Sequence, residues 1–351
     1  MNKEEIDIIM QERIERFNQF IISQDIEKMP IGLFNGKMGM CIYFYHQARY
    51  FGNKDYQKFA LNLLESVYNK VNNSLSIDME NGLTGICNGI IYLIDNKFVK
   101  GNPNSILTDL DDKIFSTLYF IFLSDGATSN LENLNIIVNC SLYFCRRLSD
   151  DRLSINERGL MQQIVIRSIN KIESTLGVDK MIETFPFSPF GYFPYIYFKL
   201  IAEVYRLDFF SYKTKKICDE WTDRLLSLFP LLQSHRVLLA ESMSKTNRYY
   251  NSNRWHEYIM LLNSNSDINY IIKEEFRDKN MLIKNGLCGF YSIIQNRSID
   301  IELKNLVRDR ILNTDCWVEY EKAIDTEKLN YVSLMSGLSG IILTYQKVTN
   351  L

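Results

Sequence analysis

Two kinds of apolar segment alternate along the chain. In the first kind the residues are apolar almost without a break, as in residues 40–45, 86–94 and 341–345. A helix of this composition is buried on most of its sides. In the second kind, apolar residues recur every three or four positions, which is typical of a helix with one face in water. Two such sets are Ile6, Met10, Ile14, Phe17 and Ile21, and Tyr56, Ala60, Leu63, Leu64, Val67 and Val71.

A short motif precedes the nearly continuous apolar runs, and it occurs four times. The copies are Asn35-Gly36-Lys37-Met38-Gly39, Asn81-Gly82-Leu83-Thr84-Gly85, Asn285-Gly286-Leu287-Cys288-Gly289 and Ser336-Gly337-Leu338-Ser339-Gly340. Their first glycines are 46, 204 and 51 residues apart, and 204 is four times 51. A period of this length indicates one supersecondary unit per repeat. The spacing predicts seven units, with degenerate copies near positions 133, 184 and 235, and a closed ring of outer and inner helices.

The motif chemistry suggests where a ligand would bind. Asn or Ser before a buried helix is a good N-cap, and glycines allow backbones to approach closely. Tight packing alone explains each glycine, but helix amino termini gathered at one place also favour anions and polar peptide groups. We call this place the motif mouth. Its predicted residues are Asn35, Gly36, Lys37, Asn81, Gly82, Lys284, Asn285, Gly286, Ser336 and Gly337.

Composition narrows the class of protein. The 351 residues are 46% hydrophobic, with six prolines and no linker-like segment, which predicts one all-α domain over residues 1–351. The net charge of −2, with no dense basic run, argues against nucleic acid as a partner. No signal peptide or membrane-spanning run is evident, so we expect no membrane insertion. Seven cysteines, an odd number mostly inside apolar segments, favour thiols in a reducing compartment, the cytoplasm.

Two features of the chain resemble the lanthionine synthetase C-like family. One is the repeated Gly-x-x-Gly before apolar helices. The other is the pair of segments Glu80-Asn81-Gly82-Leu83-Thr84-Gly85-Ile86 and Gly89-Ile90-Ile91-Tyr92-Leu93-Ile94. The resemblance is strong at the first, second, sixth and seventh motifs and weak between residues 120 and 270. It implies an α/α toroid. It also implies modification of a ribosomally made precursor peptide, in which a zinc-bound cysteine thiolate adds to a dehydrated serine or threonine.

The zinc ligands of that family are replaced in this chain. The resemblance puts a Cys-His pair where Lys284 and Asn285 stand, and a further cysteine near Leu232, Gln233 and Ser234. We therefore expect no zinc cofactor. Cys41, Cys87 and Cys288 near one mouth could form a different soft-metal site. Cys41 and Cys87 also suit a buried core, whereas Cys288 is expected in the loop.

Other polar residues leave further possibilities open. Each histidine is readily structural, including His46 and His256, but the register puts His235 by the mouth, where it could transfer protons. Asp78 and Glu80 precede the second motif and could serve a carbohydrate-active enzyme or be solvated loop carboxylates. Lys284 could receive a peptide carboxylate or be an exposed loop cation. The polar, aromatic segment 245–255 predicts a long loop that could hold a peptide.

These observations favour a zinc-free protein of peptide modification, with a precursor peptide or a peptide-modifying enzyme as its partner. Two alternatives remain. One is an active lanthionine-type cyclase with an altered metal site, and the other is a carbohydrate-active enzyme on the same architecture.

Overall fold

The computed structural model describes residues 3–72, 74–123, 131–175, 189, 193–277, 280–295, 301–324 and 332–349. Every regular element in these ranges is helical, which confirms the predicted all-α class. The main helices are α1 (Lys3–Ser23), α2 (Lys37–Phe51), α3 (Lys54–Lys70), α4 (Leu83–Asp95), α5 (Thr108–Leu123), α6 (Leu131–Leu148), α7 (Ile155–Thr175), α8 (Phe193–Leu207), α9 (Ser211–Leu226), α10 (Gln233–Tyr250), α11 (Asn253–Ser264), α12 (Leu287–Ile294), α13 (Ile301–Leu312), α14 (Cys316–Ile324) and α15 (Leu338–Thr349).

The chain divides into two compact units. Unit 1 contains Met1–Ser76, Glu80–Val99 and Phe276–Leu351, so both ends of the sequence contribute to it. Unit 2 contains Ile77–Met79 and Lys100–Glu275. The four clear motifs all lie in unit 1, and the positions near 133 and 235, where degenerate copies are predicted, lie in unit 2.

In unit 1, the four helices that follow the clear motifs pack side by side in the order α12, α15, α2, α4. The last repeat therefore lies against the first. Helix α3 covers α2, and α13 packs on α15. Helix α1 also packs here, because Phe17 meets the ring of Tyr43 edge-on and Asn18 accepts a hydrogen bond of 2.7 Å from the Tyr43 hydroxyl.

The amphipathic helices of unit 1 bury the faces that their spacing predicts. In α3 the buried residues are Tyr56, Ala60, Leu63 and Val67. In α1 they include Met10, Ile14, Phe17 and Ile21. Asn53 caps α3 by accepting hydrogen bonds from the amides of Asp55 and Tyr56, which fixes where this outer helix begins.

In unit 2, α8 lies between α6 and α10, and α7, α9 and α11 pack on these three helices. Helices α6 and α10 begin at residues 131 and 233, close to the predicted copies near 133 and 235. The copy predicted near 184 falls on residues 176–188, outside the described residues. The core of this unit includes Trp255, which is fully buried and donates its indole N–H to the Thr222 hydroxyl at 2.9 Å.

The long loop predicted for residues 245–255 is wrong. Helix α10 continues to Tyr250 and ends at Asn251, which has a left-handed φ of 55°. Ser252 then caps α11, which begins at Asn253. Thr246 is buried and donates its hydroxyl to the Phe198 carbonyl at 3.0 Å. A polar residue therefore faces the core here, which breaks the apolar periodicity without breaking the helix.

Within the described residues, no helix combines the length and apolar character that crossing a membrane requires.

Candidate functional site

The motif helices begin one residue later than the Asn-cap prediction. The N-caps are Gly36, Gly82 and Gly286, and each helix starts at the next residue. The predicted caps at Asn35, Asn81 and Asn285 are therefore wrong. Gly337 likewise directly precedes α15. At Asn285 the side-chain oxygen instead accepts a hydrogen bond of 3.2 Å from the Asn280 amide.

The first amide of these helices is bonded to the chain's own backbone. Lys37 donates its backbone N–H to the Pro30 carbonyl at 2.7 Å, seven residues earlier. Leu83 donates in the same way to Ser76 at 2.8 Å, and Leu287 to Asn280 at 2.9 Å. A recurring loop thus folds back and caps α2, α4 and α12. These donors, which the sequence suggested for a ligand, are used by the fold.

The loop leaves no room for a side chain at Gly36, Gly286 and Gly340. A Cβ atom on Gly36 would lie 2.4 Å from the Pro30 carbonyl oxygen, and one on Gly286 would lie 2.5 Å from that of Asn280. At Gly340 the corresponding distance, to the Leu334 oxygen, would be 2.0 Å. Contacts this short are not possible without moving the backbone. The packing interpretation of these glycines is confirmed.

Neighbouring motifs are joined by backbone hydrogen bonds between equivalent residues. Phe34, Glu80, Lys284 and Met335 each stand immediately before the Asn or Ser of a motif. The amide of Lys284 donates to Met335 at 2.8 Å, that of Met335 to Phe34 at 3.1 Å, and that of Phe34 to Glu80 at 2.9 Å. These bonds connect the sixth, seventh, first and second motifs in that order. We call these four residues the motif circuit.

A salt bridge connects the two ends of the motif circuit. The ammonium of Lys284 lies 2.6 Å and 2.8 Å from the two carboxylate oxygens of Glu80, which is 204 residues away in sequence. Both side chains are 38% exposed, so the pair lies at the surface of the mouth. Lys284 therefore has a carboxylate partner within the protein, rather than being an exposed loop cation.

Lys37 does not belong to the mouth, although the sequence placed it there. Its side chain is fully buried, and its ammonium donates a hydrogen bond of 2.6 Å to Ser66 of α3. Glu27 lies 3.8 Å from the same ammonium and also binds Lys70 at 2.7 Å. Burial, together with Lys70, lowers the pKa of Lys37. Instead of reaching the mouth, the side chain of Lys37 points from α2 toward α3.

The residues at the mouth do not fit the zinc ion that the resemblance implies. Zinc sites use thiolate, imidazole or carboxylate ligands, and here Lys284 is held by Glu80. Cys41, Cys87 and Cys288 are fully buried, so the expectation of a loop position for Cys288 is wrong. Burial raises the pKa of Cys288 to about 12 and also raises that of Cys41. Within the described ranges, no three metal-ligating side chains come together.

His235 and His256 differ in their surroundings. His235 is buried in the first turn of α10, where burial lowers its pKa. The adjacent helix terminus is occupied by Glu275, whose carboxylate accepts from the amides of Gln233 and Ser234 at 2.6 Å and 2.9 Å. His235 therefore does not reach solvent, contrary to the role considered for it. His256 is exposed near the start of α11.

The two carboxylates before the second motif have different surroundings. Glu80 faces an ammonium, and Asp78 is half-buried in the loop before α4. A general acid and its partner require two carboxyl groups on opposite sides of the scissile bond. The geometry of Glu80 therefore favours a structural role in the motif circuit.

One accessible position recurs on the motif helices and escaped the sequence reasoning. His46, Tyr92 and Lys347 each stand ten residues after the first glycine of a motif, on neighbouring helices α2, α4 and α15. All three reach solvent, and His46 Nε2 lies 2.7 Å from the Tyr92 hydroxyl oxygen. Burial, with the charge of Lys347, lowers the pKa of His46 to about 4. Counting from each motif glycine would have found this row.

No protein-family model matches the chain, and no curated protein is significantly similar to it. The functional possibilities are therefore distinguished by side-chain contacts, both at the motif circuit and on the accessible faces of the helices.

Proposed function

We propose that the chain is a zinc-free peptide-binding protein, an α/α toroid similar to lanthionine synthetase C-like proteins, whose ligand is a ribosomally made precursor peptide. The observation that carries this proposal is the Lys284–Glu80 salt bridge. Lys284 occupies one of the two adjacent positions at which the resemblance puts zinc ligands, and the salt bridge ties the second and sixth motifs together.

The packing order within each unit supports the ring. Helices α12, α15, α2 and α4 follow the repeat order through the last and first repeats, and α6, α8 and α10 follow it through the middle ones. A single ring of seven hairpins accounts for both orders. Within each unit, the accessible stripes of the motif helices offer a surface on which an extended peptide can lie.

A binding role suits the side chains of unit 1 better than cyclisation does. A cyclase must hold the attacking sulfur as thiolate at neutral pH. Burial raises the pKa values of the motif thiols, which opposes that state. Peptide groups, in contrast, need hydrogen-bonding and charged side chains on an accessible surface, as His46, Tyr92 and Lys347 provide. A reducing compartment, the cytoplasm, suits the seven cysteines, none of which forms a disulfide.

The proposal is tested with the small peptides encoded beside the gene. Each is synthesised with an amino-terminal fluorescein, and its anisotropy is followed as the protein is added, with and without EDTA. We expect one peptide to bind with a Kd of about 10 µM, as for a segment that orders on binding, and EDTA to leave this value unchanged. A scrambled peptide of the same composition is the control. Binding that EDTA abolishes, or no binding by any neighbouring peptide, would overturn the proposal.

A further inference from the structure

The three motif helices of unit 2 leave one narrow face uncovered. Helix α6 is buried on most sides, with an accessible stripe that contains Glu132 at its start and then Asn135, Asn139, Leu142 and Arg146. The accessible stripe of α8 contains Lys199, Glu203 and Arg206, and that of α10 contains Glu241, Ser244, Lys245 and Arg248. Residues spaced three and four apart share one side of a helix. Because the helices are adjacent, these stripes form a continuous surface.

This surface is rich in cations. We call Arg146, Lys199, Arg206, Lys245 and Arg248 the basic face. Two carboxylates lie among them: Glu203 binds Arg206 at 2.8 Å, and Glu241 lies 3.4 Å from Lys245. Lys199, in the middle helix, makes no hydrogen bond or ion pair with any described residue. The basic face therefore has an excess of positive charge at its centre.

Lys199 lies among charged side chains of three helices. Its side chain is exposed, yet the surrounding protein lowers its pKa because the charged form loses hydration. The positive charges of Lys245 and Arg146 act in the same direction, and the carboxylate of Glu203 opposes them. Three cations from three neighbouring helices thus repel one another across this surface. A bound anion would relieve the repulsion and supply the missing partner.

The arrangement favours separated carboxylates over polyphosphate. Glu203 and Glu241 interrupt the basic face, and they would repel a dense, continuous negative charge. Separate carboxylates can lie between them. The α6 stripe adds neutral surface from Asn135, Asn139 and Leu142, which suits peptide backbone and apolar side chains.

We propose that the basic face binds the carboxylate side chains of an acidic peptide segment, with Lys199 as its central contact. This inference rests on the proposed function, and it identifies the part of the precursor peptide that is recognised. Charge-assisted hydrogen bonds of this kind are stronger than neutral ones and fall in strength with salt.

The test uses a fluorescein-labelled peptide of about twelve residues that alternates glutamate with serine, and a matched peptide with glutamine in place of glutamate. Anisotropy is measured at low and at physiological salt. We expect the glutamate peptide to bind and the glutamine peptide to bind at least tenfold more weakly. Lys199→Gln should weaken glutamate-peptide binding about tenfold, the loss expected for one hydrogen bond to a charged group.

Lys215→Gln is the matched control, because Lys215 is an exposed lysine on α9 of the same unit. It should leave binding within about twofold, since it lies outside the basic face. Equal effects of the two substitutions, or equal binding of both peptides, would overturn the inference. So would tripolyphosphate that binds through Lys199 more tightly than the glutamate peptide.

The inference and the proposed function fail in different ways. A neighbour-encoded peptide that binds equally to wild type and Lys199→Gln overturns the inference and supports the proposed function. Failure of every neighbour-encoded peptide overturns the proposed function. Melting temperatures of both variants, which we expect within a few degrees of wild type, show that they are folded.

Discussion

At the residue scale, backbone geometry explains why the same motif recurs along the chain. The glycines sit where a returning loop passes within 2.5 Å of a Cβ position, at Gly36 and Gly286 alike. The residue after the first glycine is buried in every clear copy, as Leu83, Leu287 and Leu338, and as Lys37 in the first. The motif thus serves helix packing. Lys37 is the exception, because it places a charged residue where the other three copies have leucine.

Gly286→Ala should destabilise the protein by about 2 kcal/mol or more, because its Cβ would overlap the Asn280 carbonyl oxygen. Gly159→Ala is the control, since Gly159 is exposed in α7 and its Cβ would meet nothing within 4 Å. Alanine there should stabilise by about 0.5–1 kcal/mol through helix propensity. Urea denaturation measures both changes. Equal stability of the two variants would refute the close-packing account.

Lys37→Leu should stabilise the protein by about 1 kcal/mol at pH 7, because leucine occupies this position in the other three motifs and needs no buried charge. The folded-state pKa of Lys37 is lowered, so the folded protein binds this proton less tightly than the unfolded chain does. At pH values below this folded-state pKa, where Lys37 is charged, its burial therefore lowers the free energy of unfolding.

That cost falls as the pH rises from the folded pKa toward the ordinary lysine value of 10.5. The gain in the free energy of unfolding from Lys37→Leu should accordingly be larger near pH 7 than near pH 10. Denaturation curves of wild type and variant at the two pH values measure it. A variant less stable than wild type at pH 7 would show that the ammonium contacts outweigh burial.

At the element scale, buried polar contacts join the first and last motif helices. Gln47 of α2 and Gln346 of α15 are both buried and exchange amide hydrogen bonds of 3.1 Å and 3.2 Å. The two residues are 299 positions apart. The pair makes the contact between these helices specific, because a shifted register would leave buried amides unbonded.

Gln47→Leu should cost about 2 kcal/mol, because it leaves the Gln346 amide buried without its partner. Gln346→Leu should cost a similar amount. The double variant should be more stable than the sum of the single effects predicts, by at least about 1 kcal/mol. Additive single and double effects in urea denaturation would contradict the proposed coupling of the two helices.

Sequence patterns predicted the helices well where packing is repetitive. The faces of α1 and α3, and the starts of α6 and α10, follow directly from apolar spacing and repeat arithmetic. Local signals were misleading where tertiary contacts replaced them. Asn35 looked like a cap, but Pro30 supplies the carbonyl that bonds the first helical amide. Residues 245–250 looked like a loop, because the buried face there includes the polar Thr246.

At the scale of the whole molecule, the motif register could be predicted from the sequence, but the partners of the motif residues could not. Motif register brings Glu80 and Lys284 to equivalent positions, yet nothing in the local sequence shows that they pair across 204 residues. Cys288 belongs to the same motif, but the burial of that position becomes evident only when neighbouring helices are in place. Repeat arithmetic predicts positions, whereas partners depend on packing between distant repeats.

The most direct test of a zinc-free motif mouth is the metal content of the protein, measured by inductively coupled plasma mass spectrometry after purification without chelators and incubation with equimolar zinc. Because Lys284 is bound to Glu80 and the motif thiols are buried, we expect less than about 0.1 zinc per chain after desalting. About one zinc per chain, lost on Cys288→Ala, would contradict this account and indicate a metal site built from the motif thiols.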